Sequence, residues 1–371
     1  MESWKEVPTP SGLAAARSPI VRCASSIALP SPDARAAREA AGRLDRLTKP
    51  PGSLGALERL LVRLAAMTGQ VCPPWERLAV LLAAADHGVV AEGVSPYPQA
   101  VTAQMVANFL AGGAAINALA TNAGARVIVV DAGVAADLPD HPALRRAAAA
   151  RGTRNLLREP AMARAEAEAA LLAGARIVAE EAARGLDALA LGEMGIGNTT
   201  AAACLTCVFA GATPEAATGR GTGLDNTGLA RKRAVVAGAL ARAGAAPADP
   251  LGALAEVGGL EIALLTGAAL EAAARRIPVV LDGYITASAA LAGVALAPGL
   301  RHFLIAGHRS AEPGHRIALE HLGLEPLLAL EMRLGEGTGA ALALPIIGGA
   351  LRAMREMATF ESAGVSGRGD V

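Results

Sequence analysis

Leu78-Ala79-Val80-Leu81-Leu82-Ala83-Ala84-Ala85 runs without a polar residue into Asp86-His87-Gly88. A half-buried strand alternates apolar and polar positions. An unbroken apolar run of this length fits a strand covered on both faces, as in a parallel sheet. The sudden Asp-His-Gly puts polar groups at the strand's carboxyl end, where open α/β sheets bind ligands. The pattern recurs in Arg126-Val127-Ile128-Val129-Val130-Asp131-Ala132-Gly133 and in Asp187-Ala188-Leu189-Ala190-Leu191-Gly192-Glu193. It recurs again in Pro278-Val279-Val280-Leu281-Asp282-Gly283 and in His302-Phe303-Leu304-Ile305-Ala306-Gly307-His308. Residues 101–119 and the Ala/Glu/Arg-rich 161–183 read as helices between such strands. Strands and helices in alternation predict an α/β fold, a mainly parallel sheet covered by helices on both faces.

The amino-terminal part has no such strands. Pro8, Pro10, Gly12, Pro30 and Pro32 break any periodicity, so residues 1–30 read as a loose extension. Ser31-Pro32-Asp33 forms a capping signal for a helix over 34–47. Leu57, Leu60, Leu61 and Leu64 then repeat at helical spacing. Residues 31–75 are therefore expected to form the helical part of a smaller lobe, and 76–350 the α/β catalytic domain. Residues 351–371 are expected to be the end of the last helix and a polar, Gly-rich tail.

Composition narrows the function. Hydrophobic residues make up 53% of the 371 and charged residues 18%, enough for a large core. Aromatics are 2%, so the core must be Ala, Leu, Val and Ile with closely packed helices. A formal net charge of +0 and so few aromatics argue against nucleic acid as a partner. The runs 197–214 and 283–300 carry no charge but are rich in Gly, Ala, Ser and Thr. They read as buried helices rather than membrane spans. No signal peptide is visible, and a cytoplasmic location is expected. Four cysteines do not make a disulfide framework in a chain this long, and Cys204-Leu205-Thr206-Cys207 reads as buried thiols within a helix. The six histidines form no metal-binding pair; His308 and His315, seven residues apart, lack a third partner. No metal and no cofactor are expected.

Chemistry concentrates in glycine-rich loops. Arg333-Leu334-Gly335-Glu336-Gly337-Thr338-Gly339 sets one carboxylate among three glycines, ahead of a small apolar segment suited to a helix. Residues 327–330 before it read as the end of a strand or a short helix. Such glycines let backbone approach a ligand and adopt positive φ, and Glu336 would point into whatever the loop encloses. Gly192-Glu193-Met194-Gly195-Ile196-Gly197-Asn198-Thr199-Thr200 has the order strand, glycine turn, helix, which suits either a phosphate or a plain turn. It lacks the Lys-Ser/Thr of a Walker loop and the third glycine of a dinucleotide fingerprint. Gly219-Arg220-Gly221-Thr222-Gly223 precedes Arg231-Lys232-Arg233, either an anion site or a solvated helix face. Ser310, near a strand end, is a further polar contact.

Together these motifs resemble one family closely, the nicotinate-nucleotide–dimethylbenzimidazole phosphoribosyltransferases of cobalamin lower-ligand synthesis. Leu47-Thr48-Lys49-Pro50-Pro51-Gly52-Ser53-Leu54-Gly55, Asp86-His87-Gly88-Val89, Asp282-Gly283 and the three glycine loops keep the family's order. The resemblance spans roughly residues 34–366. It implies a Rossmann-like sheet with a smaller helical lobe, and a homodimer. It implies transfer of 5-phosphoribosyl from nicotinate mononucleotide to 5,6-dimethylbenzimidazole, giving α-ribazole 5′-phosphate and nicotinate. Glu336 would be the catalytic base, flanked by Leu334 and Gly335. Glu193, Gly195 and Gly197 in the first loop, Gly221, Lys232 and Ser310 would contact substrates. The base-binding segment corresponds to residues 94–105, with Tyr97, Gln104 and Met105 as contacts. The chemistry agrees: benzimidazole must lose one ring proton, for which one carboxylate suffices. Two rival classes are a nucleotide-dependent oxidoreductase and a non-catalytic nucleotide sensor. Against the first stands the missing fingerprint. The second has no need of Glu336 in its glycine loop.

Overall fold

A computed structural model describes residues 28–246 and 248–366. Six parallel strands form one sheet: β1 (Leu78–Ala85), β2 (Ala125–Gly133), β3 (Leu144–Arg146), β4 (Ala188–Met194), β5 (Val279–Leu281) and β6 (Leu304–Ala306). Their order is β3-β2-β1-β4-β5-β6. The chain winds one way from β1 to β3, then returns to β4 and winds the other way. The carboxyl ends of β1 and β4 therefore flank the switch point of a doubly wound, Rossmann-like sheet, where a ligand crevice opens. All eight residues of β1 are buried, which is why its sequence does not alternate. The five strands legible in the sequence are present. β3 was not foreseen: at three residues on the sheet edge it is too short to show a period.

The scarcity of aromatics is answered by helix-on-helix contact through small residues. Helix Leu260–Ala274, buried through Ala273, lies against helix Arg164–Ala183. A Cβ on Gly174 would strike the carbonyl of Leu264, and one on Gly267 the carbonyl of Leu171. The uncharged runs become the buried helices Asn198–Ala210 and Tyr284–Leu296. Cys204 and Cys207 are free thiols on the first of these; burial pushes Cys207 up to about 12 and Cys204 higher still, so neither is a ready thiolate. Cys23 lies outside the described residues.

Three expectations need correction. Residues 101–119 are two helices, Val101–Leu110 and Ala115–Asn122, because Gly112 turns to φ +79° between them. The stretch Val101–Asn122, apolar and long enough to span a bilayer by length and composition, is thus broken. The 161–183 helix begins at Arg164, where the Glu166 carboxylate folds back to accept the Ala163 N–H. Residues 327–330 are neither strand nor helix, making one bridge between Leu328 and His308.

At the amino-terminal side, helices Ala34–Arg46 and Ala56–Thr68 pack together and, through the second, on helix Thr338–Glu356. Asp33 caps the first as its position promised, accepting from Ala36 N at 2.9 Å. Arg43 Nε donates to the Met354 carbonyl at 2.8 Å and Trp75 Nε1 to that of Leu344 at 3.0 Å. These bonds tie the amino-terminal helical part to the helix that follows the Glu336 loop.

Candidate active site

The Glu336 loop is held from below by Asp282, one residue past β5. Its carboxylate accepts the N–H groups of Gly337 (3.2 Å), Gly339 (2.6 Å) and Ala340 (3.1 Å) at the start of helix Thr338–Glu356. Burial pushes Asp282 up to about 7 while those N–H groups pull it down. Above it, Gly335, Glu336 and Gly337 all have positive φ, at 84°, 64° and 89°. Glycine accepts this freely. For Glu336 it is a strained conformation that the surroundings must enforce. They do: Glu336 N donates to the Glu193 carbonyl at 3.2 Å, and the loop lies directly on Gly192. Glu336 is 5% exposed. It accepts from Ile116 N at 3.4 Å, in the first turn of helix Ala115–Asn122. Burial raises its pKa, and the Ile116 N–H opposes that.

Glu193 stands beside it, near the end of β4. Its carboxylate takes the Asn198 side-chain amide and abuts the Cα of Gly335, where no Cβ fits. Burial, then the charges of Asp282 and Glu261, pushes it up to about 8, which favours its protonated form. Gly195 and Gly197 follow. A Cβ on Gly195 would sit 2.5 Å from the Ala85 carbonyl, and Gly197 has φ 95°. The turn thus crosses over the end of β1 and starts helix Asn198–Ala210. Behind it His87 and Glu261, both fully buried, pair at 2.8 Å. Burial works against a charged imidazole there, but the Glu261 carboxylate outweighs it and raises His87.

Across the cavity, Lys232 is buried and donates to Thr199 Oγ1 at 2.7 Å. Desolvation lowers it to about 8, resisted by the Glu312 carboxylate. Gly221 presents its N–H to Glu312 Oε1 at 2.9 Å. Ser310 N donates to His315 Nδ1 at 2.9 Å, and Glu312 N donates to Ser310 Oγ at 3.2 Å. Burial lowers both His308 and His315, the latter to about 3. The cavity enclosed by these loops is about 420 Å³, enough for a mononucleotide-sized ligand.

A family model described as a phosphoribosyltransferase matches residues 29–365. The chain belongs to this family. A nicotinate-nucleotide–dimethylbenzimidazole phosphoribosyltransferase of Deinococcus radiodurans is 56% identical over 343 residues, covering 91% of this chain and 93% of the relative. The protein of the same name from Desulforudis audaxviator is 54% identical over 332 residues, covering 90% and 93%. The crystal structure of that enzyme from Thermus thermophilus superposes with a TM-score of 0.86 at 53% identity, over 91% of this chain and all of that one.

In this phosphoribosyltransferase-family chain, Glu336, Glu193, Gly195, Gly197, Gly221, Ser310, Leu334, Gly335, Tyr97 and Met105 all line the one cavity. Tyr97 and Leu334, 52% and 58% exposed, stand at its mouth. Lys232 lies just behind the lining, reaching it through Thr199. Gln104 is not brought in: it is on the exposed side of helix Val101–Leu110, one position before Met105, which faces the cavity. Sequence reasoning missed Glu312, Asn198, Thr199 and Ile116. Asn198 and Thr199 were signalled by their place after Gly197. Glu312 and Ile116 carried no local signal, since both act across the fold.

Proposed function

We propose that this chain transfers the 5-phosphoribosyl group of nicotinate mononucleotide to 5,6-dimethylbenzimidazole, releasing nicotinate and forming α-ribazole 5′-phosphate. The observation that carries this reading is Glu336, a nearly buried carboxylate forced into a left-handed backbone on the wall of the cavity. One benzimidazole nitrogen attacks the anomeric carbon while Glu336 takes the proton from the other. Desolvation makes Glu336 a stronger base than a free carboxylate. The bond to nicotinate breaks with its electron pair, neutralising the pyridinium, so departure calls for neither a general acid nor a metal. In-line attack on the β-nucleotide inverts the anomeric centre and yields the α product. Glu193, its protonated form favoured, is a hydrogen-bonding group beside the reacting carbon. Lys232, a cation buried against Thr199, serves the phosphate or ribose.

The test is chromatography of the purified protein with both substrates. A new peak of α-ribazole phosphate, matched by released nicotinate, is expected; nucleotide binding without turnover would leave only a sensor. The same reading includes a cytoplasmic homodimer, with residues 31–75 in a smaller lobe beside the α/β part at 76–350. Light scattering at micromolar concentration is expected to return twice the 37.1 kDa chain mass, and the single-chain mass would count against it.

A further inference from the structure

A second cavity, about 360 Å³, opens where the chain enters β6, between helix Ala56–Thr68 and residues 322–327. None of its lining residues belongs to the active-site cavity. Leu60, Ile305, Leu322, Leu324 and Leu327 give it apolar walls. Arg63, half-buried, is among the lining residues. Its Nη2 donates to the Leu304 carbonyl at 2.7 Å, which pins it against the start of the strand. That is the only hydrogen bond of its side chain among the described residues, and no carboxylate pairs with it there. Burial depresses its pKa, yet an arginine stays charged and keeps its unused N–H donors. At the rim stand Arg59, whose charge is met by Glu325 at 2.7 Å, and Arg301, exposed and without a carboxylate partner among the described residues.

A partly desolvated cation with no carboxylate partner among the described residues, set beside leucine walls, is costly unless an anion comes to it. We propose that this cavity is a second ligand site for a small organic carboxylate, whose apolar body lies on the leucine walls and whose two oxygens meet Arg63. A carboxylate fits better than a phosphate ester. Two parallel N–H donors of one guanidinium satisfy the former, whereas the extra oxygens of the latter would be left with the rim, where Arg59 is already paired with Glu325 and Arg301 is exposed. The site is separate from catalysis and does not depend on the proposed reaction.

The probe is 4-bromobenzoate. Soaked into crystals of the whole protein, it is expected to give anomalous bromine density beside Arg63. In solution, its binding in the presence of saturating dimethylbenzimidazole is expected to weaken at least tenfold in Arg63→Gln. In Arg301→Glu, a change at an exposed position, it should weaken about threefold, as rim charges do. Inorganic phosphate at the same concentration should not displace it. Bromine density confined to the active-site cavity would overturn the proposal. So would unchanged affinity in an Arg63→Gln protein of normal melting temperature, or equal displacement by phosphate. If Arg63→Gln does not fold, Arg301→Glu decides, and unchanged affinity there counts against the site.

Discussion

Gly192→Ala tests whether the position of the Glu336 loop matters to the chemistry. Gly192 lies in β4, paired in register with Leu82 of β1, and cannot move without the sheet. A Cβ there would sit 2.5 Å from the Glu336 carbonyl oxygen, 2.7 Å from its carbon and 2.8 Å from Gly337 N. Ordinary contact begins near 3.4 Å, so the loop must retreat by about 0.9 Å. Retreat pulls Gly337 N off Asp282, where the bond is already 3.2 Å, and shifts the Glu336 carboxylate from the cavity wall. Overpacking of this kind costs about 1–3 kcal/mol of stability. A misplacement near 1 Å of a reacting group costs about 10²-fold in rate. The assay is initial velocity of α-ribazole phosphate formation at saturating substrates, with a thermal melt as control. A folded Gly192→Ala protein is expected to lose about 10²-fold in kcat. Because both changes act through one carboxylate, adding Gly192→Ala to Glu336→Gln should cost much less than it does alone. A folded Gly192→Ala protein with wild-type kcat would refute the reasoning.

Glu336→Gln keeps the size and should still bind both substrates, but turnover is expected to fall ~10²–10⁴-fold. The wild-type rate should decline as pH falls through the Glu336 pKa, displaced upward from 4.5 by burial, and that acidic limb should vanish in the Gln variant. If the Gln variant turned over normally, Glu193 would be the next base to test. Lys232→Ala is expected to raise the KM for the nucleotide by more than that for the base; an unchanged nucleotide KM would remove Lys232 from the phosphate or ribose. Glu193 is raised from 4.5 to about 8, so the folded state holds a proton that the unfolded state releases. Its contribution to stability is complete below pH 4.5 and is lost as pH rises through 8. Glu193→Gln should flatten the melting temperature over that window, and an unaltered slope would mean Glu193 is ionised in the folded protein.

Much of the site could be read in the chain because each loop carries its own local reason. Gly335, Gly337 and Gly339 were marked as positions able to take positive φ; Gly335 and Gly337 take it, while Gly339 lies inside helix Thr338–Glu356. The apolar run of β1 was legible because burial on both faces removes polar residues from every position, and those of β2 and β4 because most of their positions are buried too, with Arg126, Asp131 and Glu193 towards the strand ends. The strand-end carboxylates were legible as a class but not individually. Asp86 accepts Ala135 N, Asp131 accepts Gly133 N and Val134 N, and Asp282 caps the Glu336 loop. They brace backbone, whereas Glu193 lines the cavity. Which carboxylate does which depends on the N–H groups that arrive from other parts of the chain.

The sequence alone therefore determined the parallel sheet, the glycine turns and the family, since periodicity, turn chemistry and motif order are properties of neighbouring residues. Only the tertiary structure decided which groups meet. It turned Lys232 inward to Thr199 while leaving Arg231 exposed, and it faced Met105 to the cavity while Gln104 faces out. It brought Glu312 to Gly221 and the first turn of helix Ala115–Asn122 to Glu336. Those pairs lie far apart in the chain. Their meeting, and the burial that raises Glu193 and Glu336 and lowers Lys232, follows from how helices close over the carboxyl ends of the strands.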